Sequence, residues 1–265
     1  LKAFTFKVRF LTAQFKDHTA KLTRRTYLIP PPSAIAGFFG AVLGLRREEL
    51  AKLSKEILAG AELRSLGGRI FTLTRIFKID RSVSRLSELV REYYKDRKSW
   101  ENSWKEVQEL RPIYESEELY LPEYKFAIAS SNESLIEEGV RRLREHEFEY
   151  DVFGGNDYHF VDFVDEPRPA RIYKSREGYG YCPREDFERI ETNKIVSNKI
   201  VFSVDAIRSS KNPIIMPATF LAKVNTEFIQ VYGTKIIAKK ELNVVDDDES
   251  RIFVYEVDSF LTMRI

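Results

Sequence analysis

The sequence predicts an α+β fold in which an interrupted βαββαβ unit is followed by a mainly β module. Three observations carry this. Phe4, Phe6, Val8 and Phe10 alternate with Thr5, Lys7 and Arg9, the period of a half-buried strand. Ile35, Phe38, Phe39, Val42 and Leu43 recur at helical spacing. Such strand and helix patterns then alternate as far as Val164, after which only strand patterns follow. A chain of 265 residues with 43% hydrophobic and 13% aromatic side chains can build a large core and is not generally disordered.

The elements follow in order. After the first strand, residues 12–26 form a polar connection containing His18, Lys21, Arg24 and Arg25. Pro30, Pro31 and Pro32 fix φ and remove three backbone donors, so a helix can begin only at their end, with Ser33 as its expected N-cap. Gly37, Gly40 and Gly44 lie on this helix. Each costs about 1 kcal/mol relative to alanine, which implies close backbone approach, either helix-on-sheet packing or a ligand loop. Leu50, Leu53 and Ile57 mark a second helical run, and Gly67-Gly68 turns the chain into a second strand, Arg69 to Ile79.

Residues 82–110 break the alternation with two helical patterns, so an insertion is placed at about 80–111. Its Trp100 and Trp104, at helical spacing, form a small core or a stacking platform. Tyr120 to Ser130 is the third strand, and Ser134 with Glu137 is a possible capping box for the next helix. Gly154-Gly155-Asn156-Asp157 then turns into a fourth strand, Tyr158 to Val164. This order is the ferredoxin-like, or RRM-like, arrangement.

Pro167 and Pro169 mark a boundary between residues 1–166 and 167–265. In the second part Ile200–Val204, Ile214–Ala222, Phe228–Tyr232, Lys235–Ala238 and Ile252–Val257 read as strands. The acidic run Asp246-Asp247-Asp248-Glu249 lacks the spacing of a calcium loop, which favours a solvated hairpin over a cation site.

Composition narrows the function. Net charge is only +2, yet within residues 1–30 seven basic side chains (Lys2, Lys7, Arg9, Lys16, Lys21, Arg24 and Arg25) stand against Asp17 alone. That excess would attract phosphates or form a balanced solvated face. Cys182 is the only cysteine, which excludes an intrachain disulfide and a thiolate zinc site and fits a reducing compartment. No apolar run approaches the roughly 20 residues of a membrane span, so a cytoplasmic protein without membrane contact is expected. The 32% charged residues with scarce Cys and Met are compatible with a thermophilic source.

Motifs for nucleotide hydrolysis, zinc proteolysis and α/β-hydrolase chemistry are absent, and neither a small-molecule cofactor nor a metal is expected. His18, Lys21 and Tyr27 could form a metal-independent ribonuclease site, a base deprotonating a 2′-OH while a cation steadies the phosphorane. The same residues could merely hold phosphates, which is favoured because loop spacing does not establish geometry. The RRM signature for stacking bases on a sheet is absent, leaving backbone capture by loops. Expected RNA contacts are Lys16, Lys21, Arg24, Arg25 and Tyr27 in the first loop, and Arg75, Lys78 and Arg81 at the second strand and insertion base. Gly154, Gly155, Asn156 and His159 complete the set, the glycines through their amides.

Tyr27 to Gly44, with its Pro30-Pro31-Pro32-Ser33-Ala34-Ile35 core, resembles the N-terminal hallmark of the CRISPR-associated Cas-five family of the RAMP superfamily. Phe153-Gly154-Gly155-Asn156-Asp157 is similar to that family's glycine-rich loop. The resemblance covers roughly residues 1–165. It implies a ferredoxin-like domain with a thumb between its second and third strands, which corresponds here to the insertion. It also implies a subunit of type I effector (Cascade) complexes in antiviral defence, capping the 5′ handle of the CRISPR RNA (crRNA) and contacting the large and backbone subunits. One branch of the family cleaves precursor CRISPR RNA, but its catalytic Tyr, Lys and His find no residue-by-residue match here. Non-catalytic binding is therefore expected.

Overall fold

The computed structural model describes residues 1–17, 23–75, 88, 90–91, 93–95, 113–155, 158–191, 214–220 and 226–260. The alternating start of the chain forms β1 (Lys2–Phe10), followed by the short β2 (Thr12–Ala13). The proline run leads into α1 (Pro32–Leu43), and α2 (Arg47–Glu56) follows. Pro31 is the N-cap and Pro32 lies in the first turn, so Ser33 sits inside the helix rather than capping it. A proline at the first helical position loses no intrahelical bond, which is why the helix can start two residues earlier than a Ser33 cap would place it. At the other end Gly44 takes a left-handed φ of 74°, and its N–H donates back to the last turn. Gly40 admits Leu50 of α2, whereas Gly37 faces open space.

The next strand is β3 (Ile57–Ser65), where a second helical run was expected to extend through Ile57. It lies between two neighbours and is buried along most of its length, so its Ile-Leu-Ala-Gly-Ala run shows no alternation. The expected second strand is β4 (Gly68–Arg75), which pairs with β5 (Ile113–Tyr120) in a separate three-stranded sheet ordered β2-β5-β4. The segments of the expected insertion helices and both tryptophans lie outside the described residues, apart from 88, 90–91 and 93–95.

The chain returns in β6 (Glu123–Ser130), α3 (Glu133–Glu145) and β7 (Val161–Val164). Asn132, not Ser134, caps α3: its Oδ1 accepts the Leu135 N–H at 3.3 Å and the Ser134 hydroxyl at 2.9 Å. β1 is central, antiparallel to β6 along its length and to β7 at Val8–Phe10. β6 in turn pairs antiparallel with β3. Ile35, Phe38, Phe39 and Val42 of α1 are buried, with the Phe38 ring 5.9 Å from Phe6 and 5.7 Å from Phe126. Each such side chain stabilises the fold by about 1.5–3 kcal/mol relative to exposure.

Beyond Pro167 the long β8 (Arg168–Pro183) pairs with β1 at Ala3–Thr5 and carries the sheet onward. β9 (Phe187–Ile190), β10 (Ile214–Phe220), β11 (Thr226–Asp246), β12 (Arg251–Phe253) and β13 (Tyr255–Glu256) complete the described strands, before a 3-10 turn at Val257–Phe260. β11 merges two expected strands, with a positive φ at Gly233 between them. The expected strand at 200–204 lies outside the described residues. Among the described residues the arrangement is mixed α+β, with a ten-stranded sheet, the separate three-stranded sheet and few helices.

The acidic run is the turn of the hairpin formed by antiparallel β11 and β12, as expected, but it is solvated only in part: Asp248 and Glu249 are exposed, whereas the Asp246 and Asp247 side chains are buried. Asp246 accepts from Tyr173 Oη at 2.6 Å and Arg251 Nε at 3.1 Å. Asp247 meets Lys125, Asp248 meets Arg171, and Glu249 meets both Arg168 and Lys125. Each acid thus finds a cation or hydroxyl supplied by another strand.

Candidate functional site

The polar first loop folds back on itself before it reaches the prolines. Lys16 and Thr26 form an antiparallel bridge, the Tyr27 N–H donates to the Phe15 carbonyl at 2.8 Å, and the Asp17 N–H donates to the Arg25 carbonyl at 2.8 Å. Thr26 Oγ1 locks this pairing by accepting the Phe15 N–H at 2.9 Å. The second arm also adds to β5: the Arg24 N–H donates to Glu115 O, and Glu117 N–H donates to Arg24 O, both at 2.8 Å. Gln14 Nε2 ties the first arm to the same strand through Ser116 Oγ at 2.7 Å and Glu117 O at 2.9 Å.

The chain then runs into a brace from β11. Gln230 Oε1 accepts the N–H groups of Leu28 (3.1 Å) and Ile29 (3.4 Å), while its Nε2 donates to Ile29 O at 2.9 Å. Tyr124 Oη donates to Leu28 O at 2.9 Å. These bonds satisfy backbone groups that the following prolines cannot pair, and they set the direction in which the arms project.

Between the arms, β4, β5 and β11 lies a cleft of about 430 Å³, lined by Asp17, Thr23, Arg24, Arg25, Thr26, Tyr27, Arg69, Phe71, Glu115, Glu117, Met216 and Gln230. Arg69 Nη1 donates to Glu117 Oε1 at 3.0 Å, and its guanidinium lies 4.3 Å from the centre of the Phe71 ring. Burial pushes the Glu117 carboxyl above the usual carboxylate range, opposed by its bond to Arg69 and by the charges of Arg69 and Arg25. Three guanidinium and three carboxylate groups share the cleft, so it is not a uniformly basic groove. An anion would be held there by directed contacts with Arg24 and Arg25 rather than by net charge.

The sequence-expected residues do not share one environment. Lys16 and Arg25 are exposed and Arg24 is half-buried, all on the arms. Tyr27 lines the cleft from a position only 5% exposed, its ring 5.0 Å from Phe220 in an edge-on contact, which makes it a core side chain first. The backbone of Arg75 closes β4 opposite Ile113. His18, Lys21, Lys78, Arg81 and Asn156 lie outside the described residues.

The glycine-rich turn corrects two expectations. The Gly154 N–H is taken by the His159 carbonyl at 2.8 Å, and the Gly154 carbonyl accepts the Gln14 N–H at 2.8 Å, so its amide is not held out for a phosphate. Gly155 has a φ of 106°, and a Cβ there would sit 2.0 Å from the Gln14 carbonyl oxygen, so this turn is shaped to press on the first arm. His159 is fully buried, with Nδ1 2.7 Å from Thr12 Oγ1. Burial lowers its pKa from 6.5 to about 4, so it is a neutral packing residue at pH 7 and not a cation for RNA.

This histidine yields a prediction. Between about pH 6.5 and 4 the unfolded chain binds a proton at His159 that the folded chain does not, so stability falls as pH drops through that window. The expected slope is at most about 1.4 kcal/mol per pH unit. Thermal melts should show it in the wild type above pH 5, and His159→Gln should remove it; a slope equal in both proteins would refute the assignment.

Arg69, Phe71 and Gln230 were not singled out from the sequence. The first two are spaced by two on one strand and so share a face, a visible signal, while Gln230 is the lone polar residue in an apolar run. Among the described residues no group of three or more His, Cys, Asp or Glu side chains is placed to hold a metal, and no helix is long and apolar enough to cross a membrane.

The family model described as "CRISPR-associated protein (Cas_Cas5)" matches residues 4–186. This chain belongs to that family. The match spans β1 to the turn after β8, and so takes in both arms, the β4 and β5 wall and the glycine-rich turn, but not Met216 or Gln230. Among solved structures, the Cas5-family chain is similar to a "CRISPR RNA-guided surveillance complex" chain at 12% identity, covering 90% of each chain with a TM-score of 0.45. It is also similar to a CRISPR protein from Archaeoglobus fulgidus at 9% identity, covering 97% of this chain and 100% of that one with a TM-score of 0.49. A third, a Cas protein, is 11% identical over 89% of this chain and 95% of that one, with a TM-score of 0.40. No curated protein matches the chain in sequence.

Proposed function

We propose that this Cas5-family chain is a non-catalytic, RNA-binding subunit of a type I CRISPR effector (Cascade) complex in the cytoplasm. It holds the 5′ handle of the CRISPR RNA and docks the large and backbone subunits. One observation carries the reading: the family's proline-rich hallmark is braced so that the arms before it present Arg24 and Arg25 at one mouth of a cleft. Lys16 stands on the same arms, and Lys21, Arg75, Lys78, Arg81 and Asn156 extend the proposed RNA path.

The reading includes the architecture. The neighbour order β7-β1-β6-β3, with helices connecting β1 to β3 and β6 to β7, supports a ferredoxin-like unit over residues 1–166. Residues 80–111 are its proposed thumb, and 167–265 form the β-rich module that supplies Gln230.

Titrating labelled handle RNA at several salt concentrations tests the proposal. Binding should weaken linearly on a log–log plot, and replacing Arg24 and Arg25 by Ala should flatten the slope by about 1.4, two single-strand phosphate contacts. An unchanged slope removes both arginines from the interface. RNA incubated with the protein in EDTA should stay intact; discrete cleavage that His18→Ala abolishes would overturn the non-catalytic assignment.

A further inference from the structure

We infer that Phe71, backed by Arg69, is a stacking platform for one unpaired nucleobase of a single-stranded RNA. The inference rests on the RNA-binding reading and adds to it a base contact that phosphate capture does not supply.

Arg69, Phe71 and Leu73 share one face of β4 because strand side chains alternate. Phe71 is 49% exposed and lines the cleft, so its ring contributes little to the core. One side of that ring is covered by the Arg69 guanidinium at 4.3 Å, and Glu117 fixes this guanidinium with a 3.0 Å bond. The ring is therefore a preoriented flat surface with open area, not a side chain waiting for a hydrophobic partner. Arg69 is only 13% exposed and is engaged by Glu117, so its part is to hold and polarise the ring rather than to neutralise a phosphate.

Arg24 and Arg25 supply the complementary chemistry across the same cleft. A ligand with anionic groups beside a flat aromatic group matches both walls, and a single-stranded nucleotide has that composition. Leu73, though 77% exposed, is not planar, so among the described residues on this face of β4 Phe71 alone offers a flat ring, and the proposal is for one base. Stacking accepts any base, so this contact secures the strand without reading its sequence.

Fluorescence anisotropy with a short labelled single-stranded RNA, and with copies each carrying one abasic ribose, tests the site. Phe71→Ala should weaken binding about tenfold and leave the salt slope unchanged, the opposite of what Arg24 and Arg25 replacement does. Phe71→Trp should restore affinity, which also shows that the fold is intact. One abasic copy should lose the same factor against the wild type and lose nothing further against Phe71→Ala. If the wild type binds RNA and Phe71→Ala binds within about twofold of it, or Phe71→Trp is as weak as Phe71→Ala, the platform is refuted while the RNA-binding reading stands. If the wild type binds no RNA at any salt concentration, the RNA-binding reading falls and the platform with it.

Discussion

Replacing Lys125 by Met is expected to lower the unfolding free energy by about 3–5 kcal/mol, the cost of stranding a buried charge. Lys125 lies on β6 between β1 and β3 and is 1% exposed. Its Nζ stands 2.5 Å from Asp247 Oδ2 and 3.0 Å from Glu249 Oε2, and the Asp247 side chain is itself fully buried. Thr5 Oγ1 donates to the same Asp247 oxygen at 2.6 Å. Burial alone would raise the Asp247 pKa, but hydrogen bonds from Lys125, Thr5 and the Ser250 amide, with the Lys125 charge, bring it below the ordinary value. The carboxylate thus stays charged at neutral pH, and methionine would leave it without its cation.

The sign of the pH dependence follows. A depressed carboxyl contributes stability above its unfolded pKa of about 3.9 and loses it as pH falls through the folded value. The gap between wild type and Lys125→Met should therefore be full at pH 7. It should begin to shrink already above about pH 4, as the variant's Asp247, left with burial but no cation, takes up a proton, and shrink further as pH falls through the wild-type folded value. Urea unfolding at several pH values measures it, and the double variant Lys125→Met with Asp247→Leu should recover part of the loss. A gap under about 1 kcal/mol at pH 7 would show that the pair does not hold β6 to the acidic turn.

Gln230→Leu is the second large effect, expected at about 2–4 kcal/mol. The leucine fills similar volume but removes three hydrogen bonds to Leu28 and Ile29, all buried and just ahead of a proline run with no N–H groups to substitute. The damage should be local as well as global. Hydrogen exchange at the Leu28 and Ile29 amides should accelerate ahead of exchange in β1 and β6, and RNA affinity should fall because Arg24 and Arg25 lose their brace. Unchanged protection at those two amides would mean that Gln230 does not position the arms.

Much of the framework was legible locally. β1, α1, β6 and α3 announce themselves because one face of each is buried, which writes a period of two or 3.6 into the residues. β3 was not legible, since a strand covered on both faces loses its alternation, and its Ala and Leu residues suit a helix equally well. β8 was not legible as a strand: Pro167 and Pro169 flank its start and mark a boundary, yet Pro169 sits where the strand is only beginning to pair with β1.

For the candidate site the division is similar. The amino-acid sequence by itself determined the basic arms, the rigid proline start of α1 and the positions of the two motifs, because charge, φ restriction and glycine content are properties of single residues. It also carried the family membership, through motifs that lie within residues 4–186. Only the tertiary structure decided that Gly154 spends its amide on His159, that His159 is neutral, and that Arg69 and Phe71 face the arms. Only there, too, does Gln230 reach Leu28 and Ile29, about 200 positions earlier. These outcomes depend on which distant groups meet after the sheet closes, and burial then sets the protonation and hydrogen bonding of each one.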